Sequence, residues 1–170
     1  MEMEYIERGT KNYKQTALAF FAAGFNTFAI LYVVQPILPD LTEYYGVTPT
    51  AASLSLSVTT FTLAISMLIF GSISEAVGRK NIMIVSMLTA SILCILTAFS
   101  PTFGSLIVMR ALQGVALAGL PSIAMAYLGE EIHPRSLPGA MGLYISGNAL
   151  GAVFGRVLAG VTAGLWGWQY

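Results

Sequence analysis

Charged residues are scarce in this chain: they make up 9% of its 170 residues, whereas hydrophobic residues make up 56%. So few charges cannot solvate a globule of this size, and so much apolar surface cannot be hidden in one core. The composition therefore favours a membrane protein over a soluble enzyme. The net charge is zero, so the sequence gives no reason to expect nucleic acid as a partner.

Cysteine and histidine occur once each, as Cys94 and His133. The sequence therefore offers no disulfide within the chain and no cluster of metal ligands. We interpret Cys94, which lies in an apolar run, as a small buried hydrophobe, and His133 as a solvated loop residue. Phosphate-binding loops and pairs of nucleophile and base are also absent. We predict no enzyme activity, cofactor or metal.

Long apolar runs are abundant. A membrane-spanning helix needs about 20 mostly apolar residues, and five runs meet this requirement behind a tail at residues 1–15. The sequence therefore predicts an all-α integral membrane protein with five transmembrane helices. These helices are expected at about residues 16–38, 51–74, 82–99, 103–128 and 140–167.

Lysine and arginine are distributed unevenly around these runs. Six of the eight lie before the first run, after the second or after the fourth, and the alternate loops contain none. Because cytoplasmic loops are enriched in Lys and Arg, we predict that the amino terminus and residues 75–80 are cytoplasmic in a cell membrane. Tyr170 would then lie on the opposite face, where Trp166, Trp168 and Tyr170 suit the membrane interface.

The segment GSISEAVGRK joins the second and third runs, from Gly71 to Lys80. Gly71 removes a side chain where two helices press together, and Gly78 permits a turn with positive φ. Arg79 and Lys80 alone indicate no more than an ordinary cytoplasmic hairpin. The whole pattern resembles the G-x-x-x-D-R-x-G-R-K loop between the second and third helices of the major facilitator superfamily.

This resemblance implies a conformational switch. Glu75 stands in the acidic position of the motif, and Ala76 stands where an arginine is usual. In the family pattern, Glu75 would brace a helix start in the opposite half of the transporter. Arg79 would pair with a carboxylate at the end of the fourth helix, for which Glu130 and Glu131 are both candidates.

The fourth run contains a second motif. Spacing of i, i+3 and i+4 places Arg110, Gln113 and Gly114 on one helix face, and RALQG resembles the R-x-x-Q-G motif of the superfamily. A charge within the membrane costs about 2.5–3.5 kcal/mol, so Arg110 should face the bundle interior or a wet cavity. We expect cavity water, a group outside this chain or the solute to solvate Arg110. Snorkelling to the interface is the alternative.

The fifth run has a small residue every fourth position, including Gly147, Gly151 and Gly155, which predicts a surface for close helix packing. Its segment GAVFGR resembles imperfectly the G-P-x-x-G-G motif of antiporters in the superfamily. Ala152 replaces the proline and Arg156 replaces the final glycine. These departures weaken the prediction of exchange over facilitated transport or symport.

We predict a substrate pathway that contains Arg110 and Gln113 together with four further polar residues. Asn148 and Arg156 share a face of the fifth run, beside its small residues. Tyr32 and Gln35 precede Pro36, where a broken helix would free carbonyls that a cavity or a neighbour must satisfy. Tyr32 also belongs to an aromatic face, and such a face is more often a helix-packing surface than the wall of a binding site.

The resemblance implies transport of a small solute across the lipid bilayer, as secondary active efflux by alternating access, with protons as a candidate coupling ion. Two arginines but no carboxylate lie within the middle of the spans, which favours a neutral or anionic solute. Superfamily transporters have two six-helix halves, so we expect a partial transporter that needs the missing C-terminal half. A small membrane protein that regulates another transporter is the alternative.

Overall fold

The structure, a computed structural model, describes residues 5–168, and these residues form seven helices and no β-strand. One isolated β-bridge joins Ile6 to Ile132. Residues 1–4 and Tyr170, for which we predict opposite faces of the membrane, lie outside the described residues. The helices are α1 (Lys11–Tyr32), α2 (Leu38–Tyr45), α3 (Pro49–Val77), α4 (Arg79–Ala98), α5 (Phe103–Leu117), α6 (Pro121–Glu131) and α7 (Leu137–Trp166).

Five stretches of the described residues are long and apolar enough to cross a membrane. They expose large apolar side chains, among them Leu68 at 78% and Ile95 at 65%, which suits contact with lipid rather than water. The prediction of five transmembrane helices is confirmed. The stretches are Lys11–Tyr32, Pro49–Val77, Arg79–Ala98, Phe103–Glu131 and Leu137–Trp166.

The predicted bounds of the first span are wrong at both ends. The helix begins at Lys11 because the hydroxyl of Thr10 accepts the N–H of Tyr13 at 3.2 Å and caps it. It ends at Tyr32 rather than at residue 38. Pro36 has no N–H, and in a continuing helix its ring would collide with the carbonyl of Tyr32. Residues 33–37, which include the polar Gln35, therefore form the turn that leads into α2.

The fourth span, which we predict as one helix, consists of two helices. α5 ends at Leu117 and α6 begins at Pro121. Pro121 would collide with the carbonyl of Leu117 in a continuous helix. The chain turns through residues 118–120, and the helix resumes where the N–H of Ala124 meets the carbonyl of Leu120 at 2.9 Å.

Glycines bring α1 and α7 into close contact along their lengths. A methyl group added to any of three glycines of α7 would overlap the backbone of α1, so no side chain fits between the two helices there. This contact fixes which side chains of α7 lie beside those of α1. The facing pairs are Gly147 and Phe21, Gly151 and Phe25, and Gly155 and Ala29.

The amino-terminal segment lies across one end of the bundle, at the loop between α6 and α7. The N–H of Ile6 donates to the carbonyl of Glu131 at 2.8 Å, and the N–H of His133 donates to the carbonyl of Ile6 at 3.1 Å. The N–H of Arg8 donates to Ser136 Oγ at 3.1 Å. Most of the lysines and arginines lie at this end, which we call the basic end; α2 lies at the opposite end.

His133 is half-buried rather than fully solvated, so it is less exposed than we predict. The ring of Tyr5 packs edge-on against its imidazole, with 5.9 Å between ring centres. His133 Nδ1 accepts the N–H of Arg135 at 3.2 Å. The amino-terminal segment covers this loop, a contact that no motif in the sequence predicts.

Candidate functional site

Arg110 lies inside the bundle and is 1% exposed. Its Nη1 donates to the carbonyl of Ile30 at 3.2 Å and to Gln113 Oε1 at 2.8 Å. Its Nη2 donates to the carbonyl of Leu31 at 2.9 Å, and its Nε donates to the carbonyl of Ser55 at 3.3 Å. The guanidinium therefore joins the end of α1 to α3 and α5. We call these groups the Arg110 site.

The carbonyls of Ile30 and Leu31 have no hydrogen-bond partner within α1, because that helix ends at Tyr32. The last carbonyls of a helix have no partner within it, and they carry the negative end of its dipole. The N–H of Gln35 bonds to the carbonyl of Tyr32 at 3.1 Å instead of continuing the ladder to Leu31. A buried cation at this position satisfies both carbonyls and meets the favourable end of the dipole.

Arg110 faces the bundle interior, as its position predicts, and snorkelling is excluded by its burial. The prediction that water, a group outside the chain or the solute must solvate it is wrong. Carbonyls of α1 and α3 do so within the chain. Both the uncompensated arginine and the carbonyls freed by Pro36 are visible in the sequence. Their pairing is not, because the contact spans about 80 residues of sequence.

A cavity of about 150 Å³ adjoins the Arg110 site. It is lined by Arg110, Gln113, Cys94, Val34 and Trp168, among others. Gln113 is fully buried, and its Nε2 has no hydrogen-bond partner in the described part of the chain. Cys94 lies among the apolar side chains of this region, as we predict, but it is half-buried rather than buried.

Arg156 and Tyr32 form a second group of polar side chains, where α7 crosses the end of α1. The Cζ atom of Arg156 lies 4.4 Å from the centre of the Tyr32 ring, within the range of a cation–π interaction. Both residues are half-buried. Arg156 Nε is inaccessible to solvent and has no hydrogen-bond partner among residues 5–168. We call this pair the Arg156 site.

The two other predicted pathway residues join neither group through side-chain hydrogen bonds. Asn148 lies two turns from Arg156 along α7, and its Oδ1 is pressed against Gly24 of α1. This oxygen has no hydrogen-bond partner in residues 5–168. Gln35 is half-buried in the turn after α1. Asn148 therefore lies in the interface between α1 and α7.

An ion pair joins α4 to α6 at the basic end. Arg79 Nη2 lies 2.7 Å from Glu130 Oε1, and the two side chains are 20% and 62% exposed. Of the two candidate carboxylates, Glu130 is the partner of Arg79. The backbone carbonyl of Glu131 accepts the N–H of Ile6. Gly78 has φ of +97° at the junction of α3 and α4, a conformation that glycine adopts without strain.

A model of the family described as Major Facilitator Superfamily matches residues 16–170. The chain belongs to the major facilitator superfamily.

Two relatives show how much of a superfamily member is present. YybF of Bacillus subtilis strain 168, described as an uncharacterized MFS-type transporter, is 65% identical over 98% of this chain and 41% of its own length. The inner membrane transport protein YnfM of Escherichia coli K12 is 45% identical over 98% of this chain and 40% of its own. The chain thus spans about two fifths of these relatives.

A solved structure has the same fold. It is the crystal structure of a bacterial homologue of the human lysosomal transporter Spinster, in an inward-facing and unoccupied conformation. The match has a TM-score of 0.74 and 22% identity, and it covers 92% of this chain and 33% of the other. At this identity the likeness establishes the superfamily fold alone.

The superfamily motif at residues 71–80 is largely helical in this chain. α3 continues to Val77, so Gly78 is the single residue between α3 and α4. The expectation that Gly71 lies where helices press together is wrong for the described residues, because a Cβ at Gly71 would meet nothing within 4 Å. Glu75 and Lys80 are exposed. Glu75 borders a surface cavity that residues of α4 and α6 also line, among them Arg79 and Glu130.

Proposed function

We propose that this chain forms the first five membrane helices of a secondary transporter, which exports a small solute from the cell by alternating access. The remaining helices of the protein supply the opposite wall of the solute site. The amino terminus and the basic end face the cytoplasm, and protons are the proposed coupling ion. The observation that carries the proposal is the ion pair between Arg79 and Glu130 at the basic end.

This ion pair suits a contact that opens and closes during a transport cycle. A partly exposed pair contributes about 0–1 kcal/mol, so thermal motion breaks it readily. Arg79 begins α4 and Glu130 lies near the end of α6, so opening the pair releases these two ends from each other. Glu75 stands exposed beside it and is available to the part of the protein beyond this chain.

The proposed solute pathway runs along the α1 and α7 side of the bundle. Arg156, Tyr32, Gln35 and Asn148 line it or border it. Arg110 and Gln113 act on the pathway by holding the end of α1, which positions Tyr32 and Gln35. This assignment keeps all six predicted residues in the pathway region but gives Arg110 a positioning role.

The test compares Arg79→Ala with Lys80→Ala in a transporter that carries this sequence as its first five membrane helices. Lys80 is the neighbouring exposed cation and serves as the matched control. We expect Arg79→Ala to lower the rate of proton-driven transport in everted vesicles by roughly fivefold, which is equivalent to about 1 kcal/mol. Lys80→Ala should stay near the parent rate.

Membrane abundance is measured for each variant, because the proposal requires a slower cycle rather than less protein. An exchange of the two charges, Arg79→Glu with Glu130→Arg, should recover part of the lost rate. The proposal fails if abundance falls in proportion to transport in Arg79→Ala, or if the exchanged pair is no better than the single variants.

A further inference from the structure

We infer that the transported solute is an organic anion, and that the guanidinium of Arg156 binds its carboxylate-type group beside the ring of Tyr32. This inference rests on the proposed transport function. It concerns the chemistry of the solute, which neither the family nor the relatives determine.

Positive charge is not balanced by negative charge within the described membrane spans. The described spans contain two arginines at depth, Arg110 in α5 and Arg156 in α7. The carboxylates of the described spans all lie near the ends of helices at the basic end; they are Glu75, Glu130 and Glu131. The interior of this part of the protein is therefore positive. A charge held at such depth needs a partner.

The two arginines differ in how many of their hydrogen-bond donors are already satisfied. Four hydrogen bonds to Ile30, Leu31, Ser55 and Gln113 satisfy most of the donors of Arg110, and the residue is 1% exposed. A solute that bound Arg110 would have to displace bonds that hold the end of α1. Arg110 is therefore a poor ligand for a molecule that enters and leaves in each cycle.

The geometry of Arg156 suits the binding of a carboxylate. Its guanidinium lies over the Tyr32 ring at 4.4 Å, and it forms no salt bridge with any carboxylate among the described residues. Stacking on a ring fixes the plane of a guanidinium. The buried Nε of Arg156 is out of reach of a solute, but Nη1 and Nη2 form no hydrogen bond among the described residues, which leaves the N–H edge at these two atoms available. That edge matches the two oxygens of a carboxylate, with which it forms paired, charge-assisted hydrogen bonds.

The depth of Arg156 suits a solute site. It lies ten residues before Trp166, the last residue of α7, which corresponds to about 15 Å of helix. Substrate sites of secondary transporters lie near the middle of the bilayer. Arg156, which has no carboxylate partner among residues 5–168, is thus at the depth where a solute binds.

Aromatic side chains near the Arg156 site supply a surface for the rest of the solute. The ring of Phe28 lies 6.3 Å from that of Tyr32, and the rings of Phe25 and Phe154 lie 6.1 Å apart across α1 and α7. Phe154 is 49% exposed. An arginine with neighbouring aromatic rings fits an anion that has an apolar or aromatic body.

The experiment measures binding to the full transporter in nanodiscs by isothermal titration calorimetry. The probes are benzoate and 2-naphthoate, each compared with its neutral amide, benzamide or 2-naphthamide. We expect the parent to bind the carboxylates more tightly than the amides. Arg156→Gln should weaken carboxylate binding by roughly tenfold and leave amide binding unchanged, and Arg156→Lys should retain part of the affinity. Arg135→Gln, at an exposed arginine of the basic end, is the matched control.

Three results would overturn the inference: equal binding of acids and amides, no binding of either carboxylate, or unchanged carboxylate affinity in Arg156→Gln. Arg156→Lys keeps the charge, so it reports on the site if the glutamine variant fails to fold. Transport is measured separately with the Arg79 variants. A protein that binds carboxylates through Arg156 but moves no solute would refute the proposed function and leave the anion site standing.

Discussion

The Arg110 and Arg156 sites place the same side chain within the membrane in different surroundings. Arg110 is 1% exposed and donates four hydrogen bonds, three of them to backbone carbonyls. Arg156 is half-buried, stacks on Tyr32 and has an Nε without a hydrogen-bond partner in the described chain. A scale of membrane-insertion free energies would assign the two arginines a similar cost, because such scales depend only on residue type and depth.

The difference shows that the partners of a membrane arginine decide its role. A guanidinium whose donors are satisfied within the fold stabilises the fold, and removing it leaves buried acceptors unpaired. A guanidinium with an available N–H edge is free to bind a ligand. The following substitutions test this distinction, and all are made in a transporter that carries this sequence as its first five membrane helices.

Arg110→Ala is expected to have the largest effect, because it leaves the carbonyls of Ile30 and Leu31 buried without donors. Each unsatisfied group costs about 1–3 kcal/mol, so the protein should lose several kcal/mol of stability. Arg156→Ala removes a stacking contact worth about 0.5–2 kcal/mol. Thermal unfolding in detergent, followed by fluorescence-detected gel filtration, should show a large drop in melting temperature for Arg110→Ala and a small one for Arg156→Ala. Equal drops would remove the distinction between the two sites.

Gly151→Val should have the next largest effect. The added side chain would overlap the backbone of Phe25, and overpacking of this kind costs about 1–3 kcal/mol. It would also separate α1 from α7, so carboxylate binding at the Arg156 site should weaken with the loss of stability. Gly142→Val, at an exposed glycine of α7 with no atom within 4 Å of an added Cβ, is the control. Unchanged binding in Gly151→Val would show that the contact of α1 with α7 does not build the site.

The five spans were predictable because membrane helices need long apolar runs, and such runs are visible in sequence. The bounds were less predictable. Residues 33–37 are mostly apolar but not helical, because Pro36 ends α1. Pro121 interrupts the fourth span in the same way, and hydropathy alone places neither break. Hydropathy measures affinity for the membrane and carries no information on backbone geometry.

The candidate sites were predictable only in part. Local spacing placed Arg110 beside Gln113, since residues three apart share a helix face. The carbonyls of Ile30 and Leu31 carry no side-chain signature, so no motif could name them as partners of Arg110. The contact of Arg156 with Tyr32 depends on how α7 crosses α1, which is set by glycines along the whole interface. The Arg79 and Glu130 pair was expected from the resemblance, with Glu131 as an equal candidate.

The smallest effects are expected at Gln113, where two substitutions separate the acceptor of the amide from its donor. Gln113 Oε1 accepts from Arg110 at 2.8 Å, whereas its Nε2 is buried without a partner in the described residues. Gln113→Glu keeps the acceptor, removes the unpaired donor and places a negative charge beside Arg110. Gln113→Leu removes both groups.

The glutamate variant should unfold at the parent temperature or above it, since a paired buried charge offsets its own desolvation when its hydrogen bonds are made. The leucine variant should lose about 1 kcal/mol, because Arg110 Nη1 still bonds to the carbonyl of Ile30. The same thermal unfolding assay measures both. If Gln113→Glu is the less stable of the two, the amide donor has a partner beyond this chain, and Arg110 is satisfied without a negative neighbour.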